Sequence, residues 1–152
     1  IPFKIDMEAD QRKEQENVSE KSIKGLHILL AEDNELNMEI AEFMLQNEGA
    51  DVTKAWNGQE AVELFRKSKP GEFDVILMDI MMPVMNGYEA ARTIRKSERE
   101  DAGTIAIYAM TANSFEEDVS AALNAGMNGH IAKPIDAQIL YEVLDKLAKK
   151  QQ

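Results

Sequence analysis

The sequence has 152 residues, a formal net charge of −11 at pH 7, 44% apolar residues and no cysteine. This supports one ordinary domain with a tail and a real core. It argues against a protein that binds a phosphate backbone, and it excludes disulfides, thiolate metal sites and cysteine nucleophiles. No apolar run is long enough to span a bilayer and no secretory signal is visible; the expected location is the cytoplasm, with no direct nucleic-acid contact and no membrane contact in this stretch. The chain opens Ile1-Pro2-Phe3 without Met. It therefore reads as a piece of a longer protein, and a membrane anchor in that parent is compatible with it.

Residues 1–24 are dense in charge and amide, with few apolar positions from Asp6 to Lys24, and read as a linker. The pattern then alternates. Residues 26–31 form a short apolar run, a candidate buried strand. Residues 34–47 have helical spacing and stop at Gly49. Residues 51–55 read as a strand, and 57–69 as a helix closed by Pro70-Gly71. Residues 73–78 are apolar on both faces and give the clearest strand. A helix over 87–98, a strand over 105–110, a helix over 114–125, a strand over 127–132 and a helix over 136–149 complete the chain. Strand and helix thus alternate through five repeats, and right-handed crossovers favour a parallel sheet covered on both faces. Sites in such sheets form at the carboxyl ends of the strands.

Those ends carry a short list of residues. The first strand ends in Glu32-Asp33, the third in Asp79, the fourth in Thr111-Ala112, and the fifth just before Lys133-Pro134. Three carboxylates in one crevice repel, and burial adds to the cost. A hard divalent cation bound by oxygens offsets both; Mg²⁺ suits such a cluster, with Mn²⁺ an alternative. Glu32-Asp33 alone would be an ordinary solvated turn and helix cap. Thr111 alone would be a strand residue and Lys133 a surface lysine. Asp79 directly follows Val75-Ile76-Leu77-Met78, where a solvated carboxylate is less expected. Only the combination is specific.

The inventory suits phosphoryl transfer. A carboxylate can attack phosphorus and form an acyl phosphate, given positioning and cover for the equatorial oxygens. A cation, the Lys133 ammonium and the Thr111 hydroxyl could each take one oxygen, and the small Ala112 leaves room. The methionines around Asp79 do not indicate a soft-metal site, because the neighbouring donors are oxygens and Met commonly fills cores.

The blocks Leu29-Leu30-Ala31-Glu32-Asp33-Asn34, Met78-Asp79-Ile80-Met81-Met82-Pro83-Val84-Met85-Asn86-Gly87, Met110-Thr111-Ala112 and Lys133-Pro134-Ile135 resemble the receiver domain of two-component response regulators. The resemblance covers about residues 26–150, with the domain drawn at 25–150. It implies a flavodoxin-like, doubly wound five-stranded parallel sheet of order 2-1-3-4-5. It implies that Asp79 is the phosphorylated aspartate and that Asp33 and the Met81 backbone carbonyl ligate Mg²⁺, with Glu32 holding metal-bound water. Thr111, Ala112 and Lys133 would surround the phosphoryl group. The Lys133-Pro134 peptide would be cis, as is usual in the family. Many receivers carry Tyr or Phe where this chain has His130. An imidazole there would make the conformational switch shared with Thr111 weaker or partly pH-dependent.

Residues 1–4 resemble the last strand of a histidine-kinase ATP-binding domain. Asn34 and Asn37 after the acid pair resemble hybrid sensor kinases. The expected context is therefore a receiver behind a kinase core, partnered by that core in cis, by a histidine phosphotransfer domain, or by both. Leu36, Asn37, Ile40, Pro134 and Ile135 are the expected docking patch, unless Leu36 and Ile40 face the core. Three other functions compete. A haloacid-dehalogenase-type phosphatase needs a second Asp where Met81 stands. A flavodoxin-like cofactor site needs a phosphate-friendly loop where Glu32-Asp33 stand. A docking module that is never phosphorylated would not need all five key positions filled.

Overall fold

The structure is a computed structural model, and it describes residues 23–112 and 116–151. The expected linker and kinase-like strand fall mostly on residues 1–22, outside those described. The elements alternate as expected: β1 (His27–Ala31), α1 (Glu35–Asn47), β2 (Asp51–Ala55), α2 (Gly58–Lys67), β3 (Val75–Asp79), α3 (Gly87–Lys96), β4 (Ala106–Thr111), α4 (Glu116–Asn124), β5 (Gly129–Ala132) and α5 (Ala137–Gln151). The strands form one sheet in the order β2-β1-β3-β4-β5, and every pairing is parallel.

Strand periodicity sorts the apolar side chains onto two faces. Leu29, Ala31, Ile76, Met78, Ile107 and Ala109 join Phe65 of α2, Ile94 of α3 and Ala122 of α4 on one face. Ile28, Leu30, Val75, Leu77 and Met110 join Met38 and Leu45 of α1 and Leu140 and Leu144 of α5 on the other. β1 from Ile28 onward and all of β3 are buried, which explains their unbroken apolar runs. β2 lies on an edge and exposes Asp51, Thr53 and Lys54.

Three helices start in the same way. Asn34, Asn57 and Asn86 accept through their side chains from the backbone N–H of Asn37, Glu60 and Glu89, each at 2.9 Å. This fills an otherwise orphaned donor at each helix start. The caps set where α1, α2 and α3 leave the carboxyl ends of their strands.

The packed domain begins ahead of residue 25. Ile23 is 1% exposed and sits in the same core cluster as Leu26 and Ile28. Gly25 N–H donates to the Gly49 carbonyl at 2.9 Å, tying this entry to the end of α1. Within a strongly charged stretch, one isoleucine leaves no periodic signal, so only tertiary packing reveals it. At the same pole, Arg95 donates from Nε to the Gly126 carbonyl (2.8 Å), from Nη1 to the Ala102 carbonyl (3.0 Å) and from Nη2 to Asn128 Oδ1 (3.0 Å). One guanidinium thus joins α3 to the α4–β5 connection.

Candidate functional site

The carboxyl ends of β1, β3 and β4 and the turn after β5 meet over one cleft of about 340 Å³. Glu32, Asp33, Asn37, Asp79, Met81, Tyr88, Thr111, Ala112 and Lys133 are among its lining residues. Asp79 is the last residue of β3, one further than the apolar run alone suggests, and is 5% exposed. Glu32 is 2% exposed, whereas Asp33 is open to solvent. One carboxylate oxygen from each of Glu32, Asp33 and Asp79 lies within 4.8 Å of the others.

Lys133 compensates two of these charges. Its ammonium donates to Glu32 Oε1 at 2.6 Å and lies 3.1 Å from Asp79 Oδ1. The second Glu32 oxygen accepts from Asn34 N–H at 3.1 Å. The Lys133 backbone N–H donates to the Thr111 carbonyl at 2.8 Å, and the Lys133–Pro134 peptide is cis. The side chain is therefore aimed from β5 across β4 and β3 to the end of β1.

The electrostatics follow. Burial pushes the Asp79 carboxyl up, the Glu32 charge pushes it further, and its pKa reaches about 7 despite Lys133. Burial also raises Glu32, but the hydrogen bonds from Lys133 and Asn34 outweigh that, and Glu32 ends below its ordinary value. Burial lowers Lys133, yet the bond to Glu32 and the Asp79 charge leave it above its ordinary value. One cation thus holds one carboxylate firmly and leaves the neighbouring one short of compensation. A cluster of hard oxygens with surplus negative charge is a fitting site for Mg²⁺.

The loop from β3 to α3 is tightly built. Gly87 N–H donates to the Ile80 carbonyl at 3.0 Å, and a Cβ on Gly87 would sit 2.3 Å from the Asp79 carbonyl oxygen. Met81 is 80% exposed and borders the cleft.

Leu36 and Ile40 face solvent, 64% and 44% exposed. Asn37, Ile40, Ala112, Lys133, Pro134 and Ile135 line a second groove of about 330 Å³ that shares Glu32, Asn37, Ala112 and Lys133 with the cleft. Phe43, 69% exposed, extends the stripe of Leu36 and Ile40 along α1 and was not among the expected residues. Its i, i+4, i+7 spacing with them was the available signal. His130 is half-buried on β5 opposite Ala109, one pair from Met110–Ile131 and two from Thr111–Ala132.

An α/β domain with an acidic, lysine-bridged cleft at its strand ends narrows the class, and comparison with known proteins assigns the family. Residues 28–145 match the response regulator receiver domain, and the chain belongs to that family. It is 38% identical over 120 residues to hybrid signal transduction histidine kinase I of Dictyostelium discoideum, covering 78% of this chain and 7% of that one. It is 33% identical over 163 residues to histidine kinase 1 of Arabidopsis thaliana, covering 86% and 13%. The chain thus spans a small part of the curated relatives it matches. Among solved structures, it resembles the receiver domain of a sensor histidine kinase from Pseudomonas aeruginosa with magnesium coordinated in its active-site cleft. That match has 38% identity and a TM-score of 0.74, and covers 82% of this chain and 98% of that one. It also resembles a Saccharomyces cerevisiae co-crystal of the histidine phosphotransfer protein Ypd1 with the receiver domain of Ssk1, with 30% identity, a TM-score of 0.76, and 85% and 92% coverage. The chain is a receiver domain of two-component signalling. Among the described residues, no helix is long and apolar enough to cross a membrane.

Proposed function

We propose that Asp79 accepts a phosphoryl group from a phosphohistidine. The supporting observation is a buried carboxylate flanked by Glu32, Asp33 and Lys133 at the floor of an open cleft. An Asp79 oxygen attacks phosphorus in line with the P–N bond. The O–P bond forms as the P–N bond breaks, and the leaving imidazole nitrogen keeps that electron pair and takes up a proton. Thr111 and Lys133 bind phosphoryl oxygens, and Ala112 leaves them room. Asp33, Asp79 and the Met81 carbonyl would hold Mg²⁺, with Glu32 holding metal-bound water, and the ion would supply positive charge beside the acid cluster.

The donor or onward acceptor is a helical histidine-bearing partner, a phosphotransfer protein or a kinase core in cis, docked along α1. The exposed Leu36, Ile40 and Phe43 beside Asn37, Pro134 and Ile135 support this surface. Thr111 and His130 form the switch that reports phosphorylation across β4 and β5. The parent is a hybrid sensor kinase with residues 1–24 mainly as linker, and the domain works in the cytoplasm.

Intact-mass analysis after incubation with Mg²⁺ and a small phosphodonor tests the central claim. One phosphoryl adduct is expected, lost in Asp79→Asn. No adduct with any donor leaves the non-phosphorylated docking module as the better account.

A further inference from the structure

We infer that Gly58 is a positioning residue for the β3–α3 loop, holding Met81 where its carbonyl can serve the cation site; this rests on that site as proposed above. Gly58 opens α2, far from Asp79 in sequence, and is buried. Its N–H donates to the Met85 carbonyl at 3.0 Å, so it bridges the starts of α2 and α3. A Cβ there would lie 2.3 Å from Met85 O, 2.9 Å from Met85 C and 3.0 Å from Asn86 O. These are backbone atoms and cannot rotate away. Gly58 has no left-handed φ, and Ala is the better helix former, so conformation alone does not call for glycine here. The close approach of the loop does.

The loop needs such a hold. Val84 has φ 69°, and Met85 N–H donates to the Pro83 carbonyl at 2.7 Å, closing a three-residue γ-turn around it. A β-branched residue in that region is strained and persists only when its surroundings over-determine it. Gly58 fixes the carbonyl that follows Val84, and Gly87 fixes the neck at Ile80. Met81 lies between the two anchors. To restore ordinary contact with a new Cβ, the tip must retreat by about 1 Å. Mg²⁺ demands near-ideal octahedral geometry, so a shift passed on to Met81 lowers affinity.

The test is Mg²⁺ titration of the full chain by calorimetry and by the fluorescence of Trp56, two residues before Gly58. Gly58→Ala should weaken Mg²⁺ binding about tenfold or more while circular dichroism and cooperative unfolding stay native. Adding Val84→Gly, which relaxes the tip, should recover part of the loss. Binding by Gly58→Ala within about twofold of the unaltered chain would overturn the inference. Should Gly58→Ala not fold, hydrogen exchange on the unaltered chain decides. Saturating Mg²⁺ should slow exchange of the Gly58 amide and leave Gly25, at the opposite pole, unchanged; no slowing at Gly58 overturns the inference. Failure of the unaltered chain to bind Mg²⁺ would overturn the cation site as well, whereas equal binding by both chains overturns only the role of Gly58.

Discussion

The Lys133 ammonium lies closer to Glu32 than to Asp79, 2.6 Å against 3.1 Å. Glu32 is thereby held as a charged carboxylate with a donor on each oxygen, and the deficit of positive charge falls on Asp79. Lys133→Met would leave two buried carboxylates without their cation. It should destabilise the metal-free domain by about 2–4 kcal/mol at pH 8, and by less at pH 5, where the carboxyls can protonate. Urea unfolding at the two pH values measures this. Equal losses at both would show that packing of the lysine stem, not charge, dominates.

Asp79 carries the complementary pH signature. Its pKa is raised from 3.8 to about 7, so between those values the folded state holds a proton that the unfolded state has released. Its stabilising contribution is full below the unfolded pKa, is lost as pH rises towards 7, and is gone above it. Asp79→Asn should flatten that slope and stabilise the metal-free domain by about 1–3 kcal/mol at pH 8. Millimolar Mg²⁺ should stabilise the unaltered chain at pH 8 much more than Asp79→Asn. Thermal unfolding with and without Mg²⁺ reads both effects.

Ile40→Glu and Phe43→Glu should slow phosphoryl transfer from a histidine phosphotransfer protein by about tenfold or more, with stability within about 0.5 kcal/mol. Labelling by a small phosphodonor should be unchanged, because neither residue lines the Asp79 cleft. Ala41→Glu is the contrast: Ala41 is 2% exposed on the same helix, and a charge there should unfold the domain. Unchanged transfer by both α1 variants would move the docking surface elsewhere.

Arg95→Ala should cost about 2–3 kcal/mol by leaving the Gly126 and Ala102 carbonyls and Asn128 short of a donor. Mg²⁺ affinity should not change, since these contacts lie at the amino ends of the strands. A large loss of Mg²⁺ affinity would show that the two poles are coupled.

The strand-end residues were legible in the sequence because each follows an apolar run that could only be a buried strand, most plainly Val75 to Met78 before Asp79. Convergence of Glu32, Asp79 and Lys133 needed the strand order, which periodicity does not encode and the family resemblance supplied. Three features stayed hidden for physical reasons. Ile23 packs through tertiary contacts alone. The pairing of Lys133 with Glu32 depends on which of two nearby carboxylates the ammonium reaches first. The closeness of Gly58 to Met85 joins segments separated by one helix and one strand.

The entry of the chain at Ile23 and Gly25 sets how the domain can be tethered. Gly25 is pinned beside the amino end of β1, whereas Asp79 lies at the opposite end of the sheet, roughly 16 Å away for five residues of strand. α5 starts beside the cleft and runs back against the strands, so the described chain also leaves at the tethered pole. Both ends of the described chain therefore sit at the pole away from the Asp79 cleft, like a lamp held at its base. The Asp79 cleft opens at the far pole, clear of either end of the described chain.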